Sequence, residues 1–256
     1  MQLVVLGSGT SVFHPQRASA GFWLQTDAGS LLLDCSADAP HRMAEENLDW
    51  GNLDAIWISH LHLDHCGGLA SFLFGLKHAP QTQAREKPLT IFCCAGVEKL
   101  LQAIDESHRY KLFELPFPLE ITELSAKNAG APFEILGMKA EVLPTPHRPE
   151  SLALRLMDKS GATLVYTSDT GDSEKIPSFA RAADLLILEC SFYRNKPVPT
   201  HLDLADAMRI AQLAEPRRLL LTHLYPEWDG IDLESKAKRL WDGETIEARD
   251  GLRLEI

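Results

Sequence analysis

His60-Leu61-His62-Leu63-Asp64-His65 sets three imidazoles and a carboxylate within six positions, directly after the apolar run Leu53-Asp54-Ala55-Ile56-Trp57-Ile58-Ser59. On a strand or open loop, residues two apart point to the same side. His60 and His62 can therefore grip one ion, while Asp64 and His65, past a bend, face a second. Nitrogen and carboxylate donors without thiolate suit Zn2+ best, with Mn2+ or Fe2+ also accepted, and the carboxylate leaves a site that keeps water rather than a closed structural cage. Ten histidines in 256 residues would rarely fall this way by chance.

Outward from this cluster, short β-branched or Leu-rich runs at 2–6, 30–34, 54–58, 89–93, 138–143, 151–157, 162–167, 184–189, 217–221 and 251–256 predict strands. Helices are expected at 37–48, 67–77, 95–107, 173–182, 202–214 and 231–241, the fifth led by His201-Leu202 as its cap region. The Pro-rich stretches 115–118, 143–149 and 196–200 read as loops. Strands and helices without strict alternation indicate a layered α/β sandwich rather than a barrel. No composition shift marks a boundary, so residues 1–256 are expected to form a single domain.

Three of the strands end in a hydroxyl residue followed by a ligand type: Ser59-His60, Ser168-Asp169 and Thr222-His223. Strand ends in layered α/β folds line up along one edge, so all three can feed one centre. His147, in the Pro-flanked turn Pro144-Thr145-Pro146-His147, supplies a third imidazole for the first ion. Asp169 has the carboxylate needed to bridge, and His223 completes the second ion.

Asp and Glu outnumber Lys and Arg by 36 to 25, a formal charge of −11 that two divalent ions would reduce to −7. Such a surface repels a polyanion unless a basic patch compensates, and no basic run is present. The start Met1-Gln2-Leu3-Val4-Val5-Leu6-Gly7 lacks a basic leader region and reads as a first strand, and no apolar run is long enough to span a bilayer. Cytoplasmic localisation, without membrane association, is the resulting expectation. Five cysteines with no CxxC pair read as reduced, packed thiols, including Cys66 beside His65.

With HxHxDH followed in order by His147, Asp169 and His223, and with Asp34 in Leu32-Leu33-Asp34-Cys35, the chain resembles the metallo-β-lactamase superfamily over nearly its whole length. The resemblance implies a four-layer αββα sandwich. Leu6-Gly7-Ser8-Gly9-Thr10-Ser11, with Pro15-Gln16-Arg17-Ala18-Ser19 and Thr200-His201-Leu202, is similar to the ribonuclease Z branch. Residues 199–229 are also similar to phosphoribosyl cyclic phosphodiesterases.

That resemblance implies water activated between two ions attacking phosphorus, with Asp64 on the second ion accepting a hydrogen bond from the water. It implies His201, free of metal, as general acid or phosphate clamp, oriented by Glu189. Two departures matter. Only residues 148–168 separate His147 from Asp169, too few for the long arm with which ribonuclease Z grips tRNA. The cysteine-rich extra zinc site of the cyclic phosphodiesterases has no counterpart before Cys35. The function expected is a binuclear phosphodiesterase for a small or cyclic phosphodiester. Ribonuclease Z-type tRNA 3′ processing, with nucleic acid as partner and a homodimer as its docking surface, and thioester or lactone hydrolysis on the same metals are the alternatives.

Overall fold

Leu3, Val4, Val5 and Leu6 are apolar at consecutive positions because β1 (Gln2–Gly7) is covered on both faces. The computed structural model describes residues 1–194 and 196–256. β2 (Gly21–Thr26) and β3 (Gly29–Leu33) extend β1 as an antiparallel meander. β4 (Ala55–Ile58), β5 (Leu89–Cys94) and β6 (Leu119–Leu124) then add in parallel. The second sheet repeats the scheme. β7 (Phe133–Ile135), β8 (Met138–Pro144), β9 (Leu152–Met157) and β10 (Thr163–Tyr166) run antiparallel, and β11 (Leu185–Glu189), β12 (Arg218–Thr222) and β13 (Glu244–Glu247) follow in parallel. β14 (Arg253–Glu255) returns to pair antiparallel with β1, giving two seven-stranded sheets.

Parallel pairing requires crossovers, which the helices provide. α1 (Ala39–Glu45), α2 (Leu63–Cys66), α3 (Leu69–His78) and α4 (Val97–His108) belong to the first half, and α5 (Lys175–Phe179), α6 (Leu204–Ala214) and α7 (Leu233–Lys238) to the second. Strand parity divides the core. Leu164, Tyr166, Leu185, Ile187 and Leu220 join the cluster that fills the space between the sheets, together with Phe22, Leu32 and Trp57. Val165, Leu186, Leu188, Leu219 and Leu221 turn the other way, onto Ala207, Met208 and Ala211 of α6 and Leu233 of α7. This is the αββα layering that the sequence predicted.

The differences are local. Strands β2, β6, β7 and β13 were not among those expected, and the helices at 37–48, 173–182 and 231–241 are shorter than their patterns. The strand expected at 138–143 runs one residue further, so that Pro144 belongs to β8 rather than to the loop. The α6 cap is Asp203, whose carboxylate accepts from the Asp206 amide at 3.0 Å, and not the His201-Leu202 pair before it. The five cysteines are buried thiols, as expected. Burial, with the Asp34 charge second, raises Cys66 to about 11, so it stays a packed thiol. No helix among the described residues is long and apolar enough to cross a membrane.

Candidate metal centre

Parallel strands that start together also end together, and their ends carry the chemistry. Asp34 follows β3, Ser59 and His60 follow β4, Asp169 follows β10, Glu189 closes β11 and His223 follows β12. His147 lies in the turn after β8. The bend expected after His62 is the single turn α2, which carries Asp64 and His65 round to the far side. Asp34, Ser168 and His223 have φ of 57°, 52° and 59°, a left-handed backbone that costs a non-glycine residue energy and persists where surrounding structure holds it.

The expected ligands converge as two groups. Ligand atoms of His60, His62, His147 and Asp169 lie within 4.8 Å of one another, as do those of Asp64, His65, Asp169 and His223. Asp169 belongs to both. Its Oδ2 lies 3.7 Å from His60 Nε2 and 3.5 Å from His147 Nε2, whereas its Oδ1 lies 3.1 Å from His65 Nε2 and 3.3 Å from His223 Nε2. Asp64 Oδ2 is 3.4 Å from His223 Nε2.

Counting protons shows which ring atoms are left for a cation. The single Ser59 hydroxyl proton goes to Asp34 Oδ2 at 2.8 Å. Ser59 Oγ must then accept, from Ser168 Oγ at 2.7 Å and from His60 Nδ1 at 3.1 Å, leaving the His60 Nε2 lone pair free. His65 Nδ1 donates to Asp34 Oδ2 at 2.7 Å, and His147 Nδ1 to the Thr200 carbonyl at 3.0 Å. Ser191 spends its proton on Glu189 Oε2 at 2.6 Å and accepts from His223 Nδ1 at 2.9 Å. Four imidazoles thus present an Nε2 lone pair to the same space, each with its Nδ1 proton anchored as in metal-binding histidines. His62 Nδ1 comes within 3.0 Å of the His147 Nε2 lone pair.

Unpaired atoms make the same point. His60 Nε2, His65 Nε2 and Asp169 Oδ1 are buried without a hydrogen-bond partner; although the last two are 3.1 Å apart, their alignment is not that of a hydrogen bond. Orphaned buried polar atoms are costly and call for a partner. The donor set, imidazole and carboxylate without thiolate, fits divalent cations.

Electrostatics agree. Burial pushes His60 well down and His147 down, toward the neutral form that binds metal. Burial also opposes charge on His65, but Asp169 and Asp34 on either side lift it well above the usual range. Burial would raise Asp169, and the charges of His223 and His65 overcome it and hold the carboxyl well below its ordinary value.

His201 and Glu189 stand at the rim of the second group. Glu189 is buried and fully engaged, by the amides of Thr170 and Leu202, by Ser191 and by His201 Nδ1 at 2.9 Å. The His201 ring stacks on His223 with centroids 5.3 Å apart and lines a cleft of ≈ 630 Å³ with His62, Asp64, Asp169 and Tyr225. Burial works against charge on His201, but the Glu189 hydrogen bond and charge prevail and raise its pKa.

No Lys or Arg lines this cleft among the described residues. Lys196 pairs with Asp206 and Arg194 stacks on Tyr193. Sequence reasoning noticed the hydroxyl residues before three candidate ligands but not their work. Ser59 and Ser168 set the His60 tautomer, whereas Thr222 Oγ1 is left without a partner. Ser191, Tyr166, which donates to Asp34 at 2.6 Å, and the Thr200 carbonyl carried no such signal.

Comparison with known proteins places this geometry. The profile of a family described as "Anti-Pycsar protein Apyc1" matches residues 1–240. The probable metallo-hydrolase YhfI of Bacillus subtilis is 30% identical over 265 residues, covering 100% of both chains. Its crystal structure, described as a metallo-beta-lactamase fold protein, superposes with a TM-score of 0.83 at 26% identity over 100% of this chain and 99% of that one. A ribonuclease Z of Mycobacterium bovis is 26% identical over 246 residues, 88% of this chain and 86% of its own. A diphosphatase of the PhnP family shares the fold, with a TM-score of 0.76 at 22% identity over 100% and 97% of the two chains.

Proposed function

The chain belongs to the family described as anti-Pycsar protein Apyc1, and from that premise we propose that it is a binuclear metal-dependent phosphodiesterase acting on a small or cyclic phosphodiester. The observation that carries the reading is the division of Asp169, one oxygen turned to His60 and His147 and the other to His65 and His223. His60, His62 and His147 would hold one ion, Asp64, His65 and His223 the other, with Asp169 between them. Two divalent cations, Zn2+ by this donor set, would supply hydroxide at neutral pH and positive charge for the phosphate oxygens.

The chain's own groups do the rest. Asp64 lies on the cleft wall, where it would accept a hydrogen bond from the attacking water and orient it. His201 has Nδ1 committed to Glu189, and its Nε2, bonded to no group among the described residues, is the ring atom left to protonate the departing oxygen in the cleft that His201 lines. Glu189 fixes the His201 ring and favours its protonated form, as a general acid requires. Since the cleft wall lacks cationic side chains among the described residues, phosphate recognition falls to the ions and to His201.

The ribonuclease Z relative supports a second reading, tRNA 3′ processing. Against it, the span from His147 to Asp169 is taken up by β9, β10 and short turns, with no arm. The test is kcat/KM of metal-loaded protein for bis-p-nitrophenyl phosphate, cyclic nucleotides, a tRNA precursor and thioesters, at about 0.15 M salt, where long-range surface fields are screened. Small or cyclic diesters should be the best substrates. A precursor tRNA cut faster than every small diester, or thioesters alone turned over, would replace this reading with the corresponding alternative.

A further inference from the structure

Phe13 is 98% exposed, and it stands on the lip of the same cleft that Asp64, Asp169, His201 and His223 line. Leu63, 72% exposed, faces the cleft from the first position of α2. Scattered exposed apolar residues are ordinary, but these are the two most exposed large apolar side chains among the described residues, and they share one rim above a polar floor.

The loop that presents Phe13 is held on every side. Gly9 donates to the Ala18 carbonyl at 2.8 Å, and Ser19 Oγ to the Thr10 carbonyl at 3.0 Å. Asp250 accepts from the Ser8 amide and hydroxyl and from the Ala18 amide. Arg17 and His14 both reach Asp229, at 2.6 and 3.0 Å. The backbone is so close that a Cβ at Gly7 would lie 1.9 Å from the Ser19 oxygen. A loop fixed in this way holds its tip residue out in advance of any contact, and binding to it costs little ordering.

We propose that Phe13, backed by Leu63, is the specificity platform of the site, on which a planar aromatic group of the substrate, such as a nucleobase, stacks while its phosphate lies at the histidine–aspartate floor. The inference rests on the phosphodiesterase reading and names the part of the substrate remote from phosphorus. A cleft of ≈ 630 Å³ suits a molecule of nucleotide size. Its depth offers imidazoles and carboxylates and its mouth offers hydrocarbon, matching a ligand charged at one end and flat and apolar at the other. Phe13 also borders a hollow of ≈ 400 Å³ on the far side of the loop, but the Arg42 guanidinium there is spent on the Leu6 carbonyl, Glu45 and Glu46, and Leu63 lies on the cleft side.

The test compares two esters with one leaving group, thymidine 5′-(p-nitrophenyl phosphate) and methyl p-nitrophenyl phosphate, on the metal-loaded chain. The expected ratio of their kcat/KM values favours the nucleoside by about tenfold or more, and Phe13→Ala reduces that ratio about tenfold, through KM, as loss of one base stack does. Phe13→Trp keeps the preference. A wild-type ratio near one, an equal loss on both esters in Phe13→Ala, or a dimer that dissociates in step with the loss would overturn the platform, the last by giving Phe13 to a second copy. Hydrolysis of the methyl ester without nucleoside preference sinks the platform alone, whereas hydrolysis of neither ester sinks the phosphodiesterase reading with it.

Discussion

The two sheets follow one plan, an antiparallel meander followed by three parallel additions, yet they serve the centre in opposite ways. In the first half a single connection, from the end of β4 through α2, delivers His60, His62, Asp64 and His65. In the second half β8, β10 and β12 deliver one candidate ligand each, His147, Asp169 and His223, and β11 delivers Glu189. The equivalent strands β3 and β10 both end in an aspartate reached through left-handed backbone. Asp169 faces two groups of histidines, whereas Asp34 is set back, accepting from His65, Ser59 and Tyr166. One plan thus yields a candidate ligand on one side and, on the other, a carboxylate that holds candidate ligands in place. What decides between them is whether the carboxylate has hydrogen-bond donors to satisfy it.

The sharpest way to break this contrast is to exchange the two aspartates' fates. Asp169→Ala removes a group shared by both ligand sets, so activity should fall to background and elemental analysis should find fewer than two ions per chain. Retention of two ions with measurable turnover would show that the halves hold metal independently. Next in size is His201→Ala, which tests the proposed proton donor, a residue that Glu189 of β11 positions and for which β4 has no equivalent. It should lower rates on substrates with poor leaving groups by about 10²-fold or more, retain both ions, and affect nitrophenyl esters far less. Metal loss in this variant would make His201 a ligand. Asp34→Asn keeps the shape but weakens the acceptor behind His65; metal affinity or activity should drop by about 10–100-fold, the usual effect of altering a ligand's support. A loss as complete as that of Asp169→Ala would erase the distinction between the two aspartates.

The smallest effect concerns the tie between the halves, where Arg17 and His14 from the loop after β1 meet Asp229 beyond β12. Their hydrogen bonds, Arg17 first, hold the Asp229 carboxyl below its ordinary value. A pKa lower in the folded than in the unfolded chain adds stability above the unfolded value, and that gain fades as pH falls through the folded one. Hydrogen exchange in residues 8–19 should therefore be faster in Asp229→Asn than in the wild type near neutral pH. The two should converge in acid below the usual carboxylate range. A difference that persists at low pH would assign the tie to something other than charge.

Legibility in the sequence follows the same division. The β4 cluster is compressed into six residues and can be read directly. His147, Asp169 and His223 stand far apart, and each joins the candidate centre only because strand ends share an edge, a fact of the fold rather than of any local pattern. The strands that escaped the sequence reading have a physical reason too. β6, β7 and β13 lie at sheet edges and carry Glu120, Glu123, Glu134, Glu244 and Glu247, the charges that keep edges from pairing with other chains. β2 is central, but its Gly21-Phe22-Trp23-Leu24 run has no β-branched residue and follows a long turn. The serines behind the imidazoles were the least legible, because a hydroxyl at a strand end is common and only the proton count distinguishes its role.

Asp250 holds Ser8 and Ala18 across more than 230 positions of chain, and β14 seals the outer side of β1. Such long-range closure makes for slow folding, since loop entropy must be lost before these contacts form. On the ribosome, residues 7–19 must wait until both sheets have emerged before they can lock. A nascent chain stalled short of residue 250 should therefore be cut by protease in that loop while β7–β12 are already protected.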